Sequence, residues 1–153
     1  MSWKYRRCCG IDVHKDQVTV CVLPPDGQEG EVVVKVYRTF TENLRQLRFW
    51  LQALKVTEVA MESTGVYWRP VWNVLEGHFR LLLVNPAQVK ALLGRKSDRR
   101  DARRIAEFLR DQRLDASFVP PPEIRHLREL LRDRVSLVEE RTRVGNQIRA
   151  LLE

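Results

Sequence analysis

The sequence has few of the residues that familiar metal and membrane sites need. Its three cysteines, Cys8, Cys9 and Cys21, show no CxxC and no Cys/His spacing, which removes a structural zinc site, and His14, His78 and His126 are scattered. All three cysteines fall in apolar runs, as small buried strand residues of a reducing compartment do. No apolar run is long enough to span a bilayer, and the start of the chain lacks the apolar core of a signal peptide. A cytoplasmic protein with no membrane partner is expected. Acid is scarcer than base: 20 Asp plus Glu face 27 Lys plus Arg, a net charge of +7, and 21 of the cations are arginine. Arginine in excess favours forked contacts to phosphate.

What is present is globular. The 153 residues are 44% hydrophobic and 31% charged, enough for one domain with a real core. Residues 8–23 read as two strands around a polar turn at 14–17, residues 24–27 as a second turn, and residues 32–37 as a third strand, together an antiparallel meander. Thr41 caps a helix whose Leu44, Leu47, Leu51 and Leu54 form one stripe. Residues 57–62 make a strand, and a Ser63-Thr64-Gly65 turn leads into a helix that ends near Leu75. A further strand over 79–84, apolar enough for a parallel position, stops at Asn85-Pro86 before a short helix ending near Gly94. The next helix carries Asp98 and Asp101 and buries Ile105, Ala106, Phe108 and Leu109. Three antiparallel strands, then helix, strand, helix, strand, helix, is the order of the α/β ribonuclease-H-like fold, a mixed sheet with flanking helices.

Pro120-Pro121-Pro122 closes this domain, assigned to residues 1–119. Residues 120–153 hold the proline hinge and one long amphipathic pattern, with Leu127, Leu130, Leu131, Leu137, Val138, Val144, Ile148, Leu151 and Leu152 on a seam. Arg134, Arg141 and Gly145 interrupt the seam, which favours a packed helical arm over a long regular coiled coil. The pattern runs to the last residue without a stop signal, so a longer protein of which this is the front part is expected.

The chemistry centres on residues 96–106. Asp98 and Asp101 stand three apart on one helical face, among Arg95, Lys96, Arg99, Arg100, Arg103 and Arg104. Residues 88–113 carry nine cations against four anions, so the basic excess gathers here. Alone, the two acids suit helix capping, with Asp98 or Ser97 as the cap and Asp101 in the first turn. Two further acids change the balance: Asp12 interrupts an apolar strand, and Glu62 ends another. The first and fourth strands of a ribonuclease-H-like sheet are neighbours and its last helix crosses their ends. Four carboxylates meeting there repel unless cations neutralise them, and Mg²⁺ or Mn²⁺ suits an all-oxygen ligand set. Two such ions about 4 Å apart support in-line phosphoryl displacement without a side-chain nucleophile. Asp12, Glu62, Asp98 and Asp101 are therefore the candidate catalytic and metal-binding residues, and Lys15, Arg95, Lys96, Arg99, Arg100, Arg103 and Arg104 the candidate contacts to nucleic acid. His14 and Lys15 fit either a polar hairpin turn or a phosphate contact. Tyr67, Trp68 and Trp72 fit either core or base stacking.

Four motifs in order, Gly10-Ile-Asp-Val-His-Lys15, Met61-Glu-Ser-Thr-Gly-Val-Tyr-Trp68, Asn85-Pro-Ala-Gln-Val-Lys90 and Lys96-Ser-Asp-Arg-Arg-Asp-Ala102, resemble the DEDD transposases of the IS-one-ten group of insertion sequences. The similarity covers nearly the whole chain. It implies a RuvC-like, Mg²⁺-dependent domain whose four acids correspond to Asp12, Glu62, Asp98 and Asp101. It also implies a DNA recombinase that works as a homo-oligomer, a dimer or tetramer through the helical arm, guided by a structured bridge RNA. In that family a C-terminal domain bearing a nucleophilic serine follows the arm, and it lies outside these residues. Two other classes compete. An actin-like ATPase shares the fold and a first-strand aspartate, but the glycine-rich phosphate turn expected after that strand is missing. A non-catalytic nucleic-acid-binding and oligomerisation module would use the arginines and the arm alone.

Overall fold

The computed structural model describes residues 7–25, 29–62, 65–93 and 98–152. Strand β1, Arg7–Val13, is buried along almost its whole length, so apolar or small residues are required on both of its faces. It pairs antiparallel with β2, Gln17–Val22, which pairs antiparallel with β3, Val33–Arg38. On its other side β1 runs parallel to β4, Val56–Glu62, and β4 runs parallel to β5, Arg80–Val84. The strand order is β3-β2-β1-β4-β5, the mixed sheet expected from the element order.

Helices cover both faces. On one, the odd-numbered Cys9, Ile11 and Val13 of β1 and Val59 and Met61 of β4 are buried on the side of α1, Thr41–Ala53, and α2, Trp68–Leu75. Helix α1 buries Leu44, Leu47 and Leu51, as its stripe predicts. Its start corrects one expectation: Phe40, in extended conformation, is the N-cap, no side chain caps the helix, and Thr41 is already inside it. A short helix, α3, Pro86–Leu93, follows β5, and Asn85 caps it, its Oδ1 accepting a hydrogen bond from the Ala87 amide at 2.8 Å.

The opposite face belongs to α4, Asp98–Arg110. Ala102, Ile105, Ala106 and Leu109 are buried, while Phe108 is half-buried with the Arg113 guanidinium over its ring. The helix comes so close to β1 that a Cβ on Gly10 would stand 2.1 Å from the Ala102 carbonyl oxygen and 2.5 Å from the Ala106 amide nitrogen. Both are backbone atoms, so only glycine fits. Helix α4 ends in a left-handed Gln112 (φ 56°), with Arg113 N donating to Phe108 O and Gln112 N to Leu109 O, which satisfies its last carbonyls.

The chain divides into two units, one up to Ser117 and one from Phe118. The second unit is chiefly α5, Pro122–Leu152, a 31-residue helix with no buried residue. Its seam residues Leu127, Leu130, Leu131, Leu137, Val138, Val144 and Ile148 are all exposed. Among the described residues no helix is long and apolar enough to cross a membrane.

Two outcomes follow from this packing. Gly10→Ala destabilises the sheet unit by about 1–3 kcal/mol, the range for overpacking a tight core, read from the urea midpoint. All three thiols are buried, and none forms a disulfide among the described residues. Burial pushes Cys21 from 9.0 up to about 11 and holds Cys9 well above its ordinary value. An acid whose folded pKa is raised contributes stability below its unfolded pKa and loses it as pH rises through the folded one. Thermal midpoints therefore fall between about pH 9 and pH 11, and Cys21→Ala flattens part of that fall.

Candidate active site

Each acid is placed by the element that carries it. Asp12 lies near the C-terminal end of β1, 7% exposed, with its Oδ2 2.9 Å from His14 Nε2. Ile11 is in register with Met61 across the parallel pair, so the next residues, Asp12 and Glu62, stand side by side on neighbouring strands. Neighbouring strands lie about 5 Å apart. Gly10 and Ala60 precede these acids by two residues on the face that α4 covers, and side chains two apart share a face. Asp12 and Glu62 thus occupy the α4 face where the strands end.

The direction of α4 decides where its own acids fall. Cys8 shares a buried cluster with Ile105 and Leu109, while Gly10, one step further along β1, meets Ala102 and Ala106. As β1 advances, α4 retreats toward its N-terminus, so the two run antiparallel. Asp12 is about 6.6 Å beyond Gly10 at strand rise, and Asp98 is about 6 Å beyond Ala102 at helix rise. The backbone of the first turn of α4, with Asp98 and Asp101, therefore reaches the same sheet end as Asp12 and Glu62.

Asp98 begins the helix and Asp101 is half-buried in its first turn. Among the described residues no three His, Cys, Asp or Glu side chains stand close enough together to hold an ion. The side chain of Asp98 lies outside them. Asp12, Glu62 and Asp101 lie toward one end of the sheet. Their donor set is carboxylate oxygen, which fits a hard divalent cation such as Mg²⁺ or Mn²⁺.

The candidate cations are less evenly placed. Lys15 is exposed in the β1–β2 turn, one residue past His14. Arg103 is exposed but donates from Nε to Glu107 Oε1 at 2.9 Å, and that bond raises its pKa further. Such an exposed pair is weak enough for a phosphate to displace. Arg104 is half-buried on the same helix. Arg95 and Lys96 lie outside the described residues, as do the side chains of Arg99 and Arg100. Of the aromatics after Glu62, Trp72 is buried and meets Trp68 edge-on at 5.9 Å between ring centroids, so it belongs to the core. Tyr67 is exposed.

Two features were not anticipated from the residues. Glu58, on the same face but toward the start of β4, is 2% exposed and pairs with Arg80 at 3.5 Å. Thr39, beyond β3, ties down the His14 turn: its hydroxyl donates to Lys15 O at 2.9 Å and its amide to Asp16 O at 3.2 Å. A carboxylate inside an apolar strand is the signal that finds Glu58. Nothing local signals Thr39, whose contact spans 24 residues.

This architecture is the RuvC-like form of the ribonuclease-H-like fold. Thermus thermophilus RuvC in complex with Holliday junction substrate superposes with a TM-score of 0.53 at 15% identity, covering 73% of this chain and 99% of that one. Thermus thermophilus RuvC alone gives 0.51 at 17% identity, over 72% and 99%. At such identities the likeness concerns the fold. No curated protein matches the sequence. Residues 9–153 match the DEDD transposases of the IS110 group, described as Transposase, and the chain belongs to that family.

Proposed function

We propose that residues 1–119 form the metal-dependent catalytic domain of a DNA transposase, acting by phosphoryl transfer on DNA, and that residues 120–153 form an arm joining it to further copies. Supporting this is the antiparallel placement of α4 on β1, which directs the backbone of the first turn of α4 toward the sheet end where β1 and β4 finish. Asp12 and Glu62 offer carboxylates from the sheet, and Asp98 and Asp101 from the helix. Together they would hold Mg²⁺ or Mn²⁺, which supplies charge stabilisation for the attacking and leaving oxygens of an in-line displacement. Lys15 and Arg103, with Arg95, Lys96, Arg99, Arg100 and Arg104, hold the phosphates of the strand lying across those acids. No side-chain nucleophile from this domain takes part. The exposed apolar residues of α5 supply a seam for homo-oligomers, dimers or tetramers, and a structured guide RNA is a second polyanionic ligand for the arginine surface.

Asp101→Asn removes DNA cleavage by about a hundredfold or more in Mg²⁺ while leaving the metal-free thermal midpoint within a degree or two. Cleavage at the wild-type rate by that variant would remove Asp101 from the site. For the cations, Lys15→Ala and Arg103→Ala each weaken DNA binding uniformly across sequences. Each lowers the slope of log affinity against log salt by about one, read from titrations at several salt concentrations.

A further inference from the structure

We propose that His14 is a positioning residue for Asp12: its Nε2–H holds the carboxylate in the orientation in which it binds a divalent cation. This rests on the metal site proposed above.

An ionised carboxylate only accepts hydrogen bonds, so at 2.9 Å it is the imidazole Nε2 that carries the proton and donates to Oδ2. Asp12 is nearly buried, whereas His14 is half exposed, so the ring lies on the solvent side of the acid. The ring is not simply a turn residue facing water. Its backbone amide donates to Gln17 O at 2.9 Å. The next two carbonyls, of Lys15 and Asp16, are each held by Thr39 from the end of the neighbouring edge strand. Three bonds therefore fix the turn, the turn fixes the ring, and the ring fixes the rotation of the carboxylate about its Cβ–Cγ bond. A ligand oriented in this way binds a cation without first losing that rotational freedom, which is the usual effect of an outer hydrogen bond on a metal ligand.

Mn²⁺ binding is measured by calorimetry on the full chain without nucleic acid, for wild type, Asp12→Asn, His14→Ala, His14→Gln and Thr39→Val. Wild type binds, Asp12→Asn does not, and His14→Ala binds about tenfold to a hundredfold more weakly with an unchanged metal-free melting curve. His14→Gln, whose amide N–H reaches where Nε2 does, recovers most of that loss. Thr39→Val, which keeps the shape and removes the hydroxyl brace, gives a smaller loss of the same sign and serves if His14→Ala folds poorly. Wild-type affinity in His14→Ala, or in Thr39→Val where His14→Ala does not fold, overturns the inference while leaving the metal site standing. Equal losses in His14→Ala and His14→Gln also overturn it, since they make the ring a ligand or a filler. Absence of Mn²⁺ binding in wild type, or binding that survives Asp12→Asn, overturns the metal site itself and the inference with it.

Discussion

The contact on which the sheet unit depends is the approach of the α4 backbone to Gly10. A helix normally stands off a sheet by the depth of two layers of side chains, but here the Ala102 carbonyl and the Ala106 amide occupy the space a single methyl group would need. That closeness requires Gly10 on the strand and Ala102 and Ala106 on the helix, all three small. It also fixes the helix in height along β1, because a slide of one turn would set a larger side chain against the glycine. The level of the first turn of α4, and so of Asp98 and Asp101, is set by packing several residues away from either acid.

Electrostatics then works against what packing has arranged. Asp12 is close to fully buried, Glu62 stands one strand away, and two more acids arrive on the helix. Nothing in the hydrophobic effect favours burying a carboxylate such as Asp12 there. Of the basic residues on α4, Arg103 is already engaged by Glu107. Asp12 is thus tolerated by a well-packed core rather than favoured by it.

Much of this was legible in the residues for definite reasons. Element order follows from turn residues and from the change of apolar period, and both are local. Asp12 and Glu62 were visible because a carboxylate is out of place in or beside an apolar strand. Asp98 and Asp101 stood out because acids are rare within so basic a segment. What could not be read depends on partners distant in sequence. The N-cap of α1 falls on Phe40 because the chain leaves β3 in extended conformation, a matter of path that the good capping character of Thr41 conceals. Gly10 looks like any strand glycine until a helix some ninety residues later is laid on it. The brace from Thr39 to the His14 turn joins two loops through one hydroxyl and one amide, with no composition or period to mark it.

The packing of α4 on β1 also governs when the sheet can be closed during synthesis. The first strand is made early, but its Gly10 face stays uncovered until residues near 106 have left the ribosome. A nascent chain that has delivered only β1 to β5 carries residues 12 and 62 without the helix that covers their face of the sheet. Translation order therefore leaves one face of the sheet without its cover until the helix that closes it has been made.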